Sequence, residues 1–153
     1  NLFIGEGVLV STRGRSWGQN WAHRAKNVPA RTLPLAVLID GESASASEIF
    51  ASAIQDHRRG VVVGTRSYGK GSVQSIFPLS TAQTGLRLTT ALFFSPNGRR
   101  LQNVGIEPDV VVHRGEDVLG EEPPNPRSTS LASDSQLRAA VESLRPLQAV
   151  RAN

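Results

Sequence analysis

The segment Ser43-Ala44-Ser45-Ala46-Ser47-Glu48 carries three hydroxyls among residues too small to crowd them. It follows an apolar run, Leu35 to Asp40, and precedes a stretch with helical spacing. Two readings use this geometry. Ser45 with Glu48 forms S-x-x-E, a capping box in which each side chain satisfies an orphan amide at a helix start. Alternatively, a strand-to-helix turn exposes a serine nucleophile where first-turn N–H groups can meet an oxyanion. The serine alone does not decide between them.

A nucleophilic serine needs a base. Of the histidines, His23 and His113 have no triad spacing, and His57 lies three turns along the helix from Ser45, about 18 Å away at 1.5 Å per residue. Only two lysines, Lys26 and Lys70, stand among the 17 basic residues. Lys70 sits in Tyr68-Gly69-Lys70-Gly71-Ser72, directly before an apolar strand. Arginine cannot release its proton, whereas lysine against apolar walls can lose its charge. The bland alternative is a solvated turn lysine between two glycines. Gly64 to Gly71 nearly matches the phosphate loop G-x-x-x-x-G-K-[ST], but Gly71 replaces the hydroxyl residue and a period-two strand follows instead of a helix. Nucleotide binding is set aside.

The elements that must position these residues read as α/β. Gly7 to Thr12 is a strand, and the basic stretch after Gly14 lacks periodicity and reads as a loop. Leu35 to Asp40 has the continuous apolar character of a strand covered on both faces. Ser45 to His57 presents Ile49, Phe50, Ala53 and Ile54 on one helix face. Val61 to Val63 is a short buried strand. Val73 to Leu79 and Gly85 to Phe94 alternate as neighbouring strands, and Ser95-Pro96-Asn97-Gly98 is a turn. Val110 to Val112 reads as a further strand and Asp134 to Leu144 as a terminal helix with Leu137, Val141 and Leu144 on one stripe. Strand, helix, strand in the middle implies a crossover and parallel pairing.

The whole is 153 residues with 17 basic and 13 acidic side chains, a net charge of +4, so one domain is the default. The longest apolar run has five residues, against roughly 20 for a membrane span. There is no cysteine, which excludes disulfides and thiolate chemistry. No ligand cluster suggests a metal. The chain has no methionine and opens Asn1-Leu2-Phe3-Ile4 without a signal-peptide pattern, so it is expected to be a piece of a longer product. The acidic stretch Gly115 to Pro126 and the linker-like Pro123 to Ser130 divide it into 1–114, the body, and 115–153, a linker with its helix.

The string from Ala36 to Val112 resembles the catalytic core of the C-terminal processing, or tail-specific, peptidases. The resemblance rests on Val37-Leu38-Ile39-Asp40 with Ser43 to Ile49, on Ala53-Ile54-Gln55-Asp56, and on Val63 to Gln74. Thr89-Thr90-Ala91, Ser95-Pro96-Asn97-Gly98-Arg99 and Gly105-Ile106-Glu107-Pro108-Asp109 continue it in order, and Gly7 to Gly14 extends it upstream.

This resemblance implies a ClpP/crotonase-like α/β core, with strand–helix–strand units, a mixed sheet and only part of the domain present. It implies a serine endopeptidase without metal or cofactor that cuts polypeptides near their C-termini. Ser45 maps onto the nucleophile, Lys70 onto the general base, Gln74 onto the residue that orients the lysine, and the Ala46 N–H onto an oxyanion donor. In a strand, Lys70 and Gln74 project to one face. It also implies a bacterial periplasmic or envelope location. The glycine-rich segment that supplies a second oxyanion donor and the PDZ domain are expected upstream of Asn1. Without them the chain should cleave poorly and self-associate through the apolar surface around Leu2, Phe3 and Ile4. The alternative function is a catalytically incompetent core that binds or scaffolds other proteins. Arg13, Arg15, Arg24, Lys26 and Arg31 with Trp17 and Trp21 raise nucleic-acid binding, but the bland reading is a solvated basic loop, and no nucleic-acid partner is expected.

Overall fold

The apolar runs at 35–40 and 61–63 become neighbouring strands. In the computed structural model, which describes residues 2–27, 29–80, 84–114 and 134–149, β3 (Ala36–Ile39) and β4 (Val61–Gly64) pair in parallel, Ala36 opposite Val61 and Ile39 opposite Gly64. The connection between them is α1 (Ala46–Asp56), and β7 (Val110–Val111) adds to β4 in parallel, giving the order β3-β4-β7. A second sheet is antiparallel, in the order β2-β1-β6-β5, from β1 (Val8–Gly14), β2 (Trp21–Arg24), β5 (Ser72–Pro78) and β6 (Gly85–Phe94). The mixed α/β character holds, with parallel and antiparallel pairing divided between two sheets.

α1 is the element both apolar clusters share. Its Ala51 packs with Ile39, Val62, Leu101 and Ile106, while its Ala53 and Ile54 pack with Ile4 and Ala25. Small Ala51, Ser52 and Ala53 are all buried, which lets the strands approach the helix axis. Burying a side chain such as Ile54 or Val62 contributes about 1.5–3 kcal/mol. Phe50, expected on the buried face, is instead largely exposed and touches Phe3 only edge-on.

α2 (Ser135–Ala149) forms where a terminal helix was expected and packs against β3 and β4. Asp134 Oδ1 accepts the Leu137 N–H at its start, and Gln136 and Ala140 are buried. The acidic stretch 115–126 and the linker 123–130 lie outside the described residues.

Two expectations need correction. The stretch after Gly14 is not all loop: it makes a 3-10 turn, Trp17–Gln19, and then β2. All four β2 residues are exposed, so no apolar alternation marks the strand, and it is held by backbone pairing to β1. β3 is not covered on both faces, because Leu38, which points away from the packed Val37 and Ile39, is 43% exposed. The strands β5 and β6 pair as expected. β1 pairs with β6 only from Ala91 to Phe94, so the rest of the hairpin projects as a two-stranded arm with Phe77, Leu79, Leu86 and Leu88 exposed.

Two turns fasten the helix to the rest. Asp56 Oδ2 accepts Ser95 Oγ–H at 2.5 Å and the Asn97 N–H at 2.8 Å, and its other oxygen pairs with Arg99. Asp109 Oδ2 accepts the Val62 N–H and Oδ1 accepts the Gln55 amide, both at 2.8 Å.

Candidate active site

The turn between β3 and α1 is built around Asp40. Its Oδ1 accepts the amides of Glu42 and Ser43 at 3.1 and 3.0 Å and the Ser43 hydroxyl at 3.0 Å. Burial pushes the Asp40 carboxyl up, but the hydrogen bonds from Ser43 and Glu42, with Arg114 nearby, outweigh it and hold it below the ordinary carboxylate value. The Ser43 hydroxyl is thus occupied within the turn. Ser47 lies in the first turn of α1, where its N–H reaches the Ala44 carbonyl.

Ser45 stands between them at φ 59, ψ −115. An ordinary N-cap sits in the β region, whereas a side chain at this positive φ is strained. The residue is exposed. The Ala46 N–H at the start of α1 has no acceptor among the described residues, consistent with the orphan donors of a helix N-terminus.

Glu48 anchors this turn from inside. Its side chain is buried, yet four donors converge on it. Oε2 accepts the N–H groups of Ser45 at 2.9 Å and Lys70 at 2.8 Å. Oε1 accepts the Gly69 N–H and the Ser67 hydroxyl, both at 2.6 Å. Ser67 Oγ in turn accepts the Ile106 N–H at 2.7 Å. The capping reading therefore captures only the Ser45 contact; the same carboxylate holds the lysine segment more than twenty residues away.

The segment 67–71 is stitched on both sides. Tyr68 N–H donates to the Ser43 carbonyl at 3.0 Å, Gly71 N–H to Gln102 Oε1 at 2.9 Å, and Asn103 N–H to the Gly69 carbonyl at 2.8 Å. A Cβ on Gly71 would lie 2.4 Å from the Gln102 nitrogen, so glycine is required by the close approach. β5 follows directly, in keeping with the rejection of a phosphate loop.

The structure brings the backbones of Ser45 and Lys70 together but does not join the side chains. Ser45, Lys70 and Gln74 are all exposed, and among the described residues neither Lys70 Nζ nor the Gln74 amide makes a hydrogen bond. The apolar walls that would desolvate Lys70 are not in place among those residues. Lys70 also precedes β5 rather than lying in it, and the β5–β6 register slips between Val73 and Gln74. The two side chains therefore do not owe their positions to simple strand alternation. Sequence reasoning did not single out Ser67 and Gln102, whose contacts with the site are all long-range in sequence. No group of metal-binding side chains occurs among the described residues.

A strained serine at a strand–helix junction and a lysine segment tethered to the same buried carboxylate are thus held together on an α/β core. The model of peptidase family S41 matches residues 1–112, and the chain belongs to that family. It is 49% identical over 130 residues to the carboxy-terminal-processing protease of Bartonella bacilliformis, covering 79% of this chain and 30% of that protein. It is 38% identical over 113 residues to the carboxyl-terminal-processing protease of Synechocystis sp., covering 74% of this chain and 26% of that one. Among solved structures it resembles a photosystem II D1 C-terminal processing protease with TM-score 0.66 and 32% identity, covering 73% of this chain and 29% of that chain. A lipoprotein structure from Streptococcus agalactiae, at 19% identity and TM-score 0.65, shares the fold. The chain thus spans less than a third of the length of the curated relatives named here.

Proposed function

We propose that the chain is the nucleophile-bearing part of a serine endopeptidase that processes polypeptides near their C-termini. Ser45 Oγ attacks the scissile carbonyl carbon while neutral Lys70 takes its proton. The tetrahedral oxyanion is held by the Ala46 N–H at the helix start. Collapse breaks the C–N bond, Lys70 returns the proton to the leaving amine, and water then hydrolyses the acyl-enzyme. Gln74 orients Lys70. In this reading residues 1–114 belong to the peptidase core and 115–153 to a linker and helix, and the protein works in a bacterial envelope. Of the surface expected to self-associate, Leu2 is exposed, whereas Ile4 is buried with Ala53 and Ile54 and Phe3 packs on that cluster.

One observation carries the reading: the strained Ser45 and the Lys70 segment are tied to one oxygen of Glu48. The relatives' names supply the substrate class. Treatment with a fluorophosphonate followed by peptide mapping tests it. The label is expected on Ser45, absent in Ser45→Ala and greatly slowed in Lys70→Ala. Label on Ser43 or Ser47 instead would move the nucleophile, and no label on folded protein would leave a binding module.

A further inference from the structure

The basic hairpin β1–β2 has no part in the chemistry above. Between Gly7 and Ile39 the chain carries five lysines and arginines and no acid. The turn that joins β1 to β2 is locked: the Thr12 hydroxyl donates to the Gln19 carbonyl at 2.6 Å, and Gly14 N–H donates to Asn20 Oδ1 at 2.9 Å. At its tip Trp17 is 89% exposed, and the adjoining Gly18 has nothing within 4 Å of where a Cβ would stand. Trp21, at the start of β2, is 49% exposed. An ordered turn therefore holds an indole in solvent, which is not how a tryptophan left to itself is placed.

The cations flank that tip, Arg15 in the turn and Arg24 and Lys26 along and after β2. Arg15, Arg24 and Lys26 are exposed and make no ion pair among the described residues. Arg13 is already committed, its guanidinium lying 4.4 Å over the Phe94 ring. Arg24 is three residues down β2 from Trp21, about 10 Å at strand rise. An exposed indole flanked by unpaired cations in the turn and along β2 matches a bilayer interface, where tryptophan sits at headgroup depth and arginine and lysine meet anionic lipid. The β5–β6 arm leaves the sheet in the same direction, since β1 runs toward the Gly85 end of β6. It carries exposed Leu86 and Leu88 beside Arg87. A single-stranded nucleic acid would need these aromatics in a groove lined by the cations, and a convex tip offers none.

We infer that the β1–β2 hairpin is a peripheral docking element for an anionic phospholipid surface, with Trp17 entering the interface and Arg15, Arg24 and Lys26 facing the headgroups. Sedimentation of the 153-residue chain with vesicles containing about one-third phosphatidylglycerol, against pure phosphatidylcholine, tests this. Binding is expected only to the anionic vesicles, weakening as salt rises, with blue-shifted tryptophan emission. The exposed positions allow variants that keep the fold. Joint Arg15→Gln, Arg24→Gln and Lys26→Gln should weaken binding about 100-fold, at roughly fivefold per charge, and Trp17→Ala should abolish most of the emission shift. Equal binding to both vesicle types, anionic binding untouched by these variants, or retention of a thymidine oligonucleotide without vesicle binding each overturns the inference.

Discussion

Ser45 and Lys70 present their backbone amides to the same atom, Oε2 of the buried Glu48, at 2.9 and 2.8 Å. The two nitrogens are therefore at most about 6 Å apart. Glu48→Gln keeps the shape but turns one accepting oxygen into a donor, facing N–H or O–H groups that already donate. Leaving buried donors unsatisfied costs about 1–3 kcal/mol each. A loss of about 3 kcal/mol in urea denaturation is expected, with slower phosphonate labelling of Ser45 in the fraction that remains folded. Unchanged stability would mean that this carboxylate does not hold the two segments.

Ser45 offers a test of strain. At φ 59 a Cβ is disfavoured whatever the side chain, and glycine is not. Ser45→Gly and Ser45→Ala both remove the hydroxyl, so their difference isolates the backbone. Ser45→Gly should be the more stable by about 1 kcal/mol, and both should be unlabelled. If Ser45→Ala melts at the higher temperature, the serine is not strained, and the cap matters more than the elbow.

Gly105 reaches the same site from behind. Its φ is +72, and a Cβ there would lie 2.4 Å from the Ser67 carbonyl oxygen. Ser67 is one of the four donors to Glu48. Gly105→Ala should cost more than about 2 kcal/mol and slow labelling, while Gly18→Ala, in open space, should do neither. Equal stability of the two variants in thermal melts would contradict the tight packing of residues 67 and 105.

The parts of this arrangement that repeat locally were legible in the sequence. Apolar run, small residues and S-x-x-E placed α1 to within a residue of its observed start, and alternation paired β5 with β6. What alternation cannot report is whether a neighbour covers the face it marks, and around Phe77 and Leu88 none does among the described residues. β2 escaped because its four residues are exposed and its order comes from the partner strand. Glu48 was visible as a cap through its contact three residues away, but its bonds to Ser67, Gly69 and Lys70 span 19 to 22 residues and leave no local signature.

Asp40 predicts an acid-dependent stability. Its folded carboxyl is held below the ordinary value of 3.8, so ionisation stabilises the fold at neutral pH. That contribution is complete above the unfolded value and disappears as the pH falls through the lowered folded one. The parent should be more stable than Asp40→Asn at neutral pH, with the gap constant down to about pH 5 and closing below about pH 4. A gap that persists undiminished into strong acid would show that the charge on Asp40 is not what holds the turn at Ser43.

Lys70, just before β5, and Gln74, at the register slip within it, are both exposed, so replacing either should leave stability within about 0.5 kcal/mol. Their effects on chemistry should separate. Lys70→Arg keeps the charge, yet guanidinium cannot take up a proton from the serine hydroxyl at working pH. Removing a general base typically costs 10²–10⁴ in rate, so labelling of Ser45 in Lys70→Arg should fall as far as in Lys70→Ala. In the proposed mechanism Gln74→Ala removes an amide that orients the lysine, and a partial loss of about tenfold is expected, restored in large part by Gln74→Asn or Gln74→Glu if a hydrogen-bond acceptor is what matters. The order of the three rates decides the assignment. Full activity in Lys70→Arg would rule out proton transfer to Lys70, and a Gln74→Ala rate equal to the parent would leave Ser45 and Lys70 working without it.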